Sequence, residues 1–364
     1  MQRALAFQSI QASGLEIPFR RPFAQQAATQ SILVRVRSAG GVQGFGEGCL
    51  RERALGETLQ DAQAFIAARA EWWQRRIGDA DDLAGWVRAY AIEIDGNPGA
   101  WTAVELALLD LFGKRAERPV EVLLGLPGLH QTFRYAAALE DGRAPDLMLA
   151  RQQGFRDFHV ALSGDRERDE ALIDGLRAAG ISPRRVRARA HRLWTDAAEA
   201  IAYLTALDFA FVALEEPLAA RDYAGMARVA AELDTHVVLD ESVARPDQMV
   251  ALPGGPERWL IKVRLSKMGG LLRSLDFVRE ARSRGLRLIV GACPGETSVL
   301  TRAALVVASV AGDALAGLEG GHGTHLLERD ITEPSLRYGA GGLLDAGGLA
   351  AGRAPGWGLA ISQA

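Results

Sequence analysis

A chain of 364 residues, 48% hydrophobic and 24% charged, has the balance of an ordinary water-soluble protein with room for about two domains. Its formal net charge of −3 and pI near 6.1 leave no basic footprint for nucleic acid. Two cysteines, Cys49 and Cys293, far apart in sequence and outside any CxxC spacing, argue against a disulfide framework and a thiolate zinc site, and fit a reducing cytoplasm.

The opening MQRALAFQSIQASG lacks a continuous apolar core, so no secretory signal is expected. No apolar run approaches the ~20 residues of a membrane helix, and AALVVASVAG reads as a core helix, so no membrane partner is expected. SILVRVRSAGGVQGFGEG alternates Ile32, Val34 and Val36, breaks at Gly40-Gly41 and resumes at Val42, which predicts a hairpin. From ETLQDAQAFIAARAEWWQRRI through WTAVELALLDLFGKRAERPVEVLLG the apolar period becomes helical. Gly125, Pro127 and Gly128 then punctuate a domain junction.

From about Thr132, short apolar strands alternate with amphipathic helices. Strands are read near FRYAAAL, FRDFHVAL, RVRARA, FAFVALEEP, HVVLDES, RWLIKVRL, LRLIV and ALAGLEG. Such alternation predicts a (β/α)-barrel. A doubly wound sheet is the alternative, but no GxGxxG sits at a strand-to-helix turn. The late GAGGLLDAGGLAAG is a turn-rich return of the chain, since no Lys-Ser/Thr follows it.

Barrels of this kind place function at the C-terminal ends of their strands. Those ends carry His159; Arg189 and His191; Glu215 and Glu216; Asp240 and Glu241; Arg264 and Lys267; then Cys293 and Glu296. Any one alone is explained as loop charge. Carboxylates ending two consecutive strands, Glu215 and Asp240, with arginines on the strands either side, point to one mouth. The stretch RVRARAHRLW puts Arg187, Arg189 and His191 on one face, ahead of a helix with Thr195 as N-cap and Asp196 in its first turn. That face is either wet or directed at negative charge.

These motifs resemble the enolase superfamily in its muconate-lactonizing and mandelate-racemase branch. GVQGFGEG resembles the cap hairpin, VELALLDLFGKRAERPVEVLLG the helix leading into the barrel, and LEEP, LDES, RLSKMGGL and GACPGETSV successive strand signatures. The resemblance implies an α/β fold, a modified TIM (β/α)-barrel at 128–320. An α+β cap would be built from 1–127 and a returning tail, 321–364. It also implies proton abstraction next to a carboxylate by a Lys or His base, with Mg²⁺ stabilising the enediolate, and a homo-oligomer.

Carried over by position, Glu215 and Asp240 match two metal ligands. Arg189 stands where the third-strand acid belongs and His191 where an Asn belongs. His159 and Ala161 replace the two lysines of the second strand. Arg264 replaces the sixth-strand base, while Lys267 persists. This reading makes His159, Arg264 and Lys267 the catalytic candidates and Arg189, His191 and Glu296 substrate-binding ones. The metal ligands would be Glu215 and Asp240 alone, with no cofactor expected. Arg189 is expected to hydrogen-bond Glu215 or Asp240 in place of the ion. His159 is read either as a base titrating near neutrality or as a core histidine.

Three functions follow. The first is a divergent isomerase, racemase or lyase acting on a small carboxylic acid. The second is a non-catalytic binding or scaffold paralogue, and the third an ordinary Mg²⁺ racemase or cycloisomerase. EIPFRRPFAQQA and CLRERALGE correspond to the specificity loops, with Arg20, Arg21 and Arg51 suited to an anion or simply solvated.

Overall fold

Every second residue of the strand Gln43–Cys49 is glycine, and the reason is a helix lying against it. A Cβ on Gly44, Gly46 or Gly48 would meet the carbonyl oxygens of Ala107, Ala103 and Gly99 at 2.2, 2.1 and 2.0 Å. Those carbonyls belong to the helix Pro98–Arg115, which starts with Pro at its first turn and is buried along nearly its whole length. The glycine strand pairs antiparallel with Ser31–Arg37 through a turn at Gly41, where φ is +82°. Ser31–Arg37 in turn pairs with Ser9–Leu15. This computed structural model describes residues 7–23, 26–50, 56–139, 143–321, 326–348 and 353–362. Arg51 lies outside them, as does the side chain of Arg21.

Eight parallel strands form the barrel sheet in sequence order: Ala137–Leu139, Phe158–Ala161, Val186–Arg189, Ala213–Glu215, His236–Leu239, Trp259–Val263, Arg287–Val290 and Leu315–Leu318. A parallel bridge between Tyr135 and Leu318 joins the last strand to the approach of the first. FRYAAAL is thus two strands. Thr132–Arg134 pairs with the returning segment Leu343–Asp345, and only Ala137–Leu139 enters the barrel. Alternation fills the interior: Ala213, Val238, Leu260 and Ile289 form an apolar plug, while their neighbours face the helices. The helix after the third strand begins one residue later than read, at Ala197. Asp196 is its N-cap and accepts from Glu199 N, while Thr195 donates to the Glu199 carboxylate. No described helix is long and apolar enough to cross a membrane.

Buried carboxyls tie the cap to the barrel. Glu47 accepts from Thr297 N and Oγ at the head of the helix Ser298–Ala311. Glu105 accepts from Leu272 N, and Glu121 takes both oxygens to Arg302 Nη2 at 2.8 Å in a fully buried pair. The returning tail docks on the cap helix through Trp357, whose N donates to Asp110 Oδ1 and whose Nε1 donates to Leu106 O.

A methyl on Gly46 has nowhere to go without parting strand from helix. Gly46→Ala should therefore cost about 3 kcal/mol or more, read as a lower urea midpoint at unchanged slope. A substitution within half a kcal/mol of the parent would refute the close-approach account.

Candidate active site

Strand alternation decides which side chains enter the mouth. On the second strand Phe158 and Val160 face the helices and His159 faces in; on the third, Val186 and Ala188 face out and Arg187 faces in. Glu215 lies two residues beyond the plug residue Ala213, and Lys262 two beyond Leu260, so both continue the inward rows. Glu319 follows the last strand. All five of these polar residues are buried.

They form one network. Lys262 Nζ contacts Glu215 Oε2 and lies 2.6 Å from Glu319 Oε2. His159 Nε2 is 3.1 Å from Glu215 Oε2, and its Nδ1 is 3.7 Å from Glu319. Arg187 Nε donates to Glu319 Oε1 at 2.9 Å. Burial works against both carboxylate charges, but Lys262 and His159 outweigh it, holding Glu215 at about 2 and Glu319 well below its ordinary range. Burial likewise opposes the Lys262 ammonium, and the same two carboxylates raise it above the normal lysine value.

A second network continues around the rim. Arg264 contacts Asp240 Oδ2 and lies 3.6 Å from Glu215 Oε1. Lys267 donates to the carbonyls of Asp240, Val243 and Lys262 and sits 3.1 Å from Asp240 Oδ1, so it fastens the ends of the fifth and sixth strands together. Glu216, with φ at +43°, turns its carboxylate to Asp240 N, Ser242 N and Ser242 Oγ, which fixes the backbone at Asp240.

The predicted residues separate into groups. The structure brings together His159, Glu215, Asp240, Arg264 and Lys267. Glu296 lies beside them at Cys293, and His191 is exposed at φ +52°. Arg189 is only half-buried, whereas Lys262 is 2% exposed and can place its charge nowhere but on a carboxylate. Lys262 is an internal cation between Glu215 and Glu319. Sequence reasoning missed it and Glu319, though both were signalled: an inward lysine inside the apolar RWLIKV, and an acid ending ALAGLEG. Arg20 donates to Leu327 O and Glu328 O. A cleft of about 450 Å³ lined by Leu204, Phe209, Phe211, Leu214 and Leu233 opens at the opposite end of the barrel, away from this chemistry.

Cap, closed ring of strands and charged strand ends define a capped (β/α)-barrel. The chain belongs to the enolase superfamily: residues 10–125 match the mandelate racemase/muconate lactonizing enzyme N-terminal domain, and residues 144–364 the enolase C-terminal domain-like family. Its relatives include dipeptide epimerases and a muconate cycloisomerase. The L-Ala-D/L-Glu epimerase of Bacillus subtilis is 26% identical over 313 residues, 82% of this chain and 84% of its own. The muconate lactonizing enzyme from Pseudomonas putida superposes with a TM-score of 0.81 at 24% identity, covering 98% and 97% of the two chains. The dipeptide epimerase from Enterococcus faecalis V583, complexed with Mg and the dipeptide L-Leu-L-Tyr, gives 0.78 at 21%, covering 97% and 99%.

That Mg complex overturns the expectation of no cofactor, and so do this chain's own residues. One ligand atom each from His159, Glu215 and Glu319 lies within 4.8 Å of the others, a group able to hold a divalent ion. The sequence reading looked for a third acid beside Glu215 and Asp240. The group found here contains Glu319, just after the eighth strand, and not Asp240.

Because Glu215 has a depressed folded pKa, its stabilisation is complete above about 4.5 and fades as pH falls toward 2. Glu215→Gln removes one of the two carboxylates that hold Lys262 and should cost about 1.5–3 kcal/mol at neutral pH, and it should flatten the acid limb of a urea-stability curve. An acid limb identical to the parent's would contradict this.

Proposed function

We propose that this chain is an isomerase of the racemase or epimerase type, acting on a small carboxylic acid at the barrel mouth with altered proton-handling residues. One observation carries the reading. Among the described residues, Arg264 Nε and Arg187 Nη2 are buried donors without a hydrogen-bond partner, both beside the carboxylate network. An unmet buried donor is costly, and a substrate carboxylate or developing enolate oxygen would satisfy it. Charge agrees: Arg187, Lys262, Arg264 and Lys267 all gather at the carboxylates of Glu215, Asp240 and Glu319, a concentration of cations suited to an anion. The same reading takes 1–127 as the cap, 128–320 as the barrel and 321–364 as the returning tail, supported by the Trp357 contacts on the cap helix.

In this scheme Arg264 and Arg187 orient the acid, Lys267 positions the Asp240 carboxylate, and His159 Nε2 exchanges the α-proton while Glu215 stabilises the imidazolium. His159, Glu215 and Glu319 are also the side chains that would hold the family's divalent ion. Their imidazole donor suits Mn²⁺ or Zn²⁺ at least as well as Mg²⁺. When bound, the ion supplies positive charge to a developing oxyanion.

Incubation in D₂O with N-acyl amino acids and dipeptides, with and without Mn²⁺ or Mg²⁺, should give deuterium at Cα by NMR. Arg264→Met should lower the rate at least about 100-fold. A second reading, a binding protein without turnover, is favoured by the Lys267 ammonium, committed to three carbonyls. Acids that raise the melting temperature with no exchange under any metal condition would establish that reading instead. Lys262→Met should bind Mn²⁺ about tenfold tighter by calorimetry, since a competing charge is removed. Unchanged or weaker binding would show that Lys262 does not compete.

A further inference from the structure

Cys49 and Cys293, remote in sequence, meet where cap touches barrel. Cys49 ends the glycine strand, and its N donates to Ser266 Oγ at 3.0 Å. Cys293 opens the turn Cys293-Pro294-Gly295-Glu296 after the seventh strand. Proline followed by a glycine at φ +88°, closed by Glu296 N donating to Cys293 O, is a type II turn that brings its first and fourth side chains together. The Glu296 carboxylate is held by Cys293 N at 2.6 Å. Both sulfurs and a Glu296 oxygen lie within 4.8 Å of one another, and all three residues are at most 5% exposed.

We propose that Cys49, Cys293 and Glu296 form a three-ligand site for a borderline-soft divalent cation of the Zn²⁺ class, separate from the His159–Glu215–Glu319 group. Two sulfurs select against Mg²⁺ and Ca²⁺, and a carboxylate beside them completes a set Zn²⁺ accepts with a fourth position open. Without a cation three acids crowd one buried spot. Burial drives Glu296 far above its usual range, and the contact with Cys293 raises the Cys49 thiol. The ion would take the place of their protons, which leave to solvent. A redox role fits less well, because peroxide attacks exposed thiolates and these thiols are buried. The bound ion would clip the cap strand to the barrel loop close to Arg264.

The test is titration of the metal-free, full-length protein with Co²⁺ and Cd²⁺, read by sulfur-to-metal charge-transfer absorption, which the His159 group cannot produce. One equivalent should develop the band, and His159→Ala should keep it. Cys49→Ala and Cys293→Ala should abolish it, and Glu296→Gln should weaken binding at least tenfold. If a cysteine variant does not fold, the band in the parent and in His159→Ala still decides. No band at equimolar ion, even where Co²⁺ binds through His159, overturns the site. So does a Cys49–Cys293 disulfide found by mass spectrometry in protein purified without reductant.

Discussion

One ammonium shared by two carboxylates organises the centre of this protein. Lys262 could not remain charged at 2% exposure alone, and Glu215 and Glu319 could not both remain ionised side by side without it. Three strands far apart in sequence are thereby obliged to present their ends at one height: the fourth, the sixth and the eighth. The imidazole of His159 and the guanidinium of Arg187 then have their orientations dictated by oxygens already fixed.

Buried carboxyls elsewhere follow a different rule. Glu47 and Glu105 meet backbone N–H groups and uncharged side-chain donors, and burial lifts each to about 7. They hold the seam between cap and barrel by hydrogen bonding, while the acids of the mouth hold by charge. Chemistry that needs fixed charge and architecture that must tolerate protonation are thus served by the same residue types in different company.

Much of this was legible in the sequence, for reasons that can be named. Period and punctuation suffice for strands such as Val186–Arg189 and for the cap hairpin, because alternation and glycine turns are local properties. Glu215, Asp240 and Arg264 could be found because each ends a strand inside a recognisable motif. What failed was non-local. Lys262 lies inside an apolar run, and only its depth in the barrel shows that it must find a carboxylate. Glu319 carried no motif beyond its place after an apolar run. The cysteines looked unrelated because proximity across a domain seam leaves no spacing to read. The glycines of GVQGFGEG were seen as a turn-and-strand signature, whereas their alternation records the passage of a helix that begins fifty residues downstream.

Asp110 shows how the fold is ordered in time. One of its oxygens takes Phe45 N and Lys114 Nζ, and the other takes Trp357 N, 247 residues later in the chain. On the ribosome the first two partners emerge early, while the third appears only after every barrel strand has been made. The cap helix therefore waits with half of a buried carboxyl unmet throughout synthesis of the barrel. The last buried contact of the cap helix thus becomes available only after the barrel strands have been made.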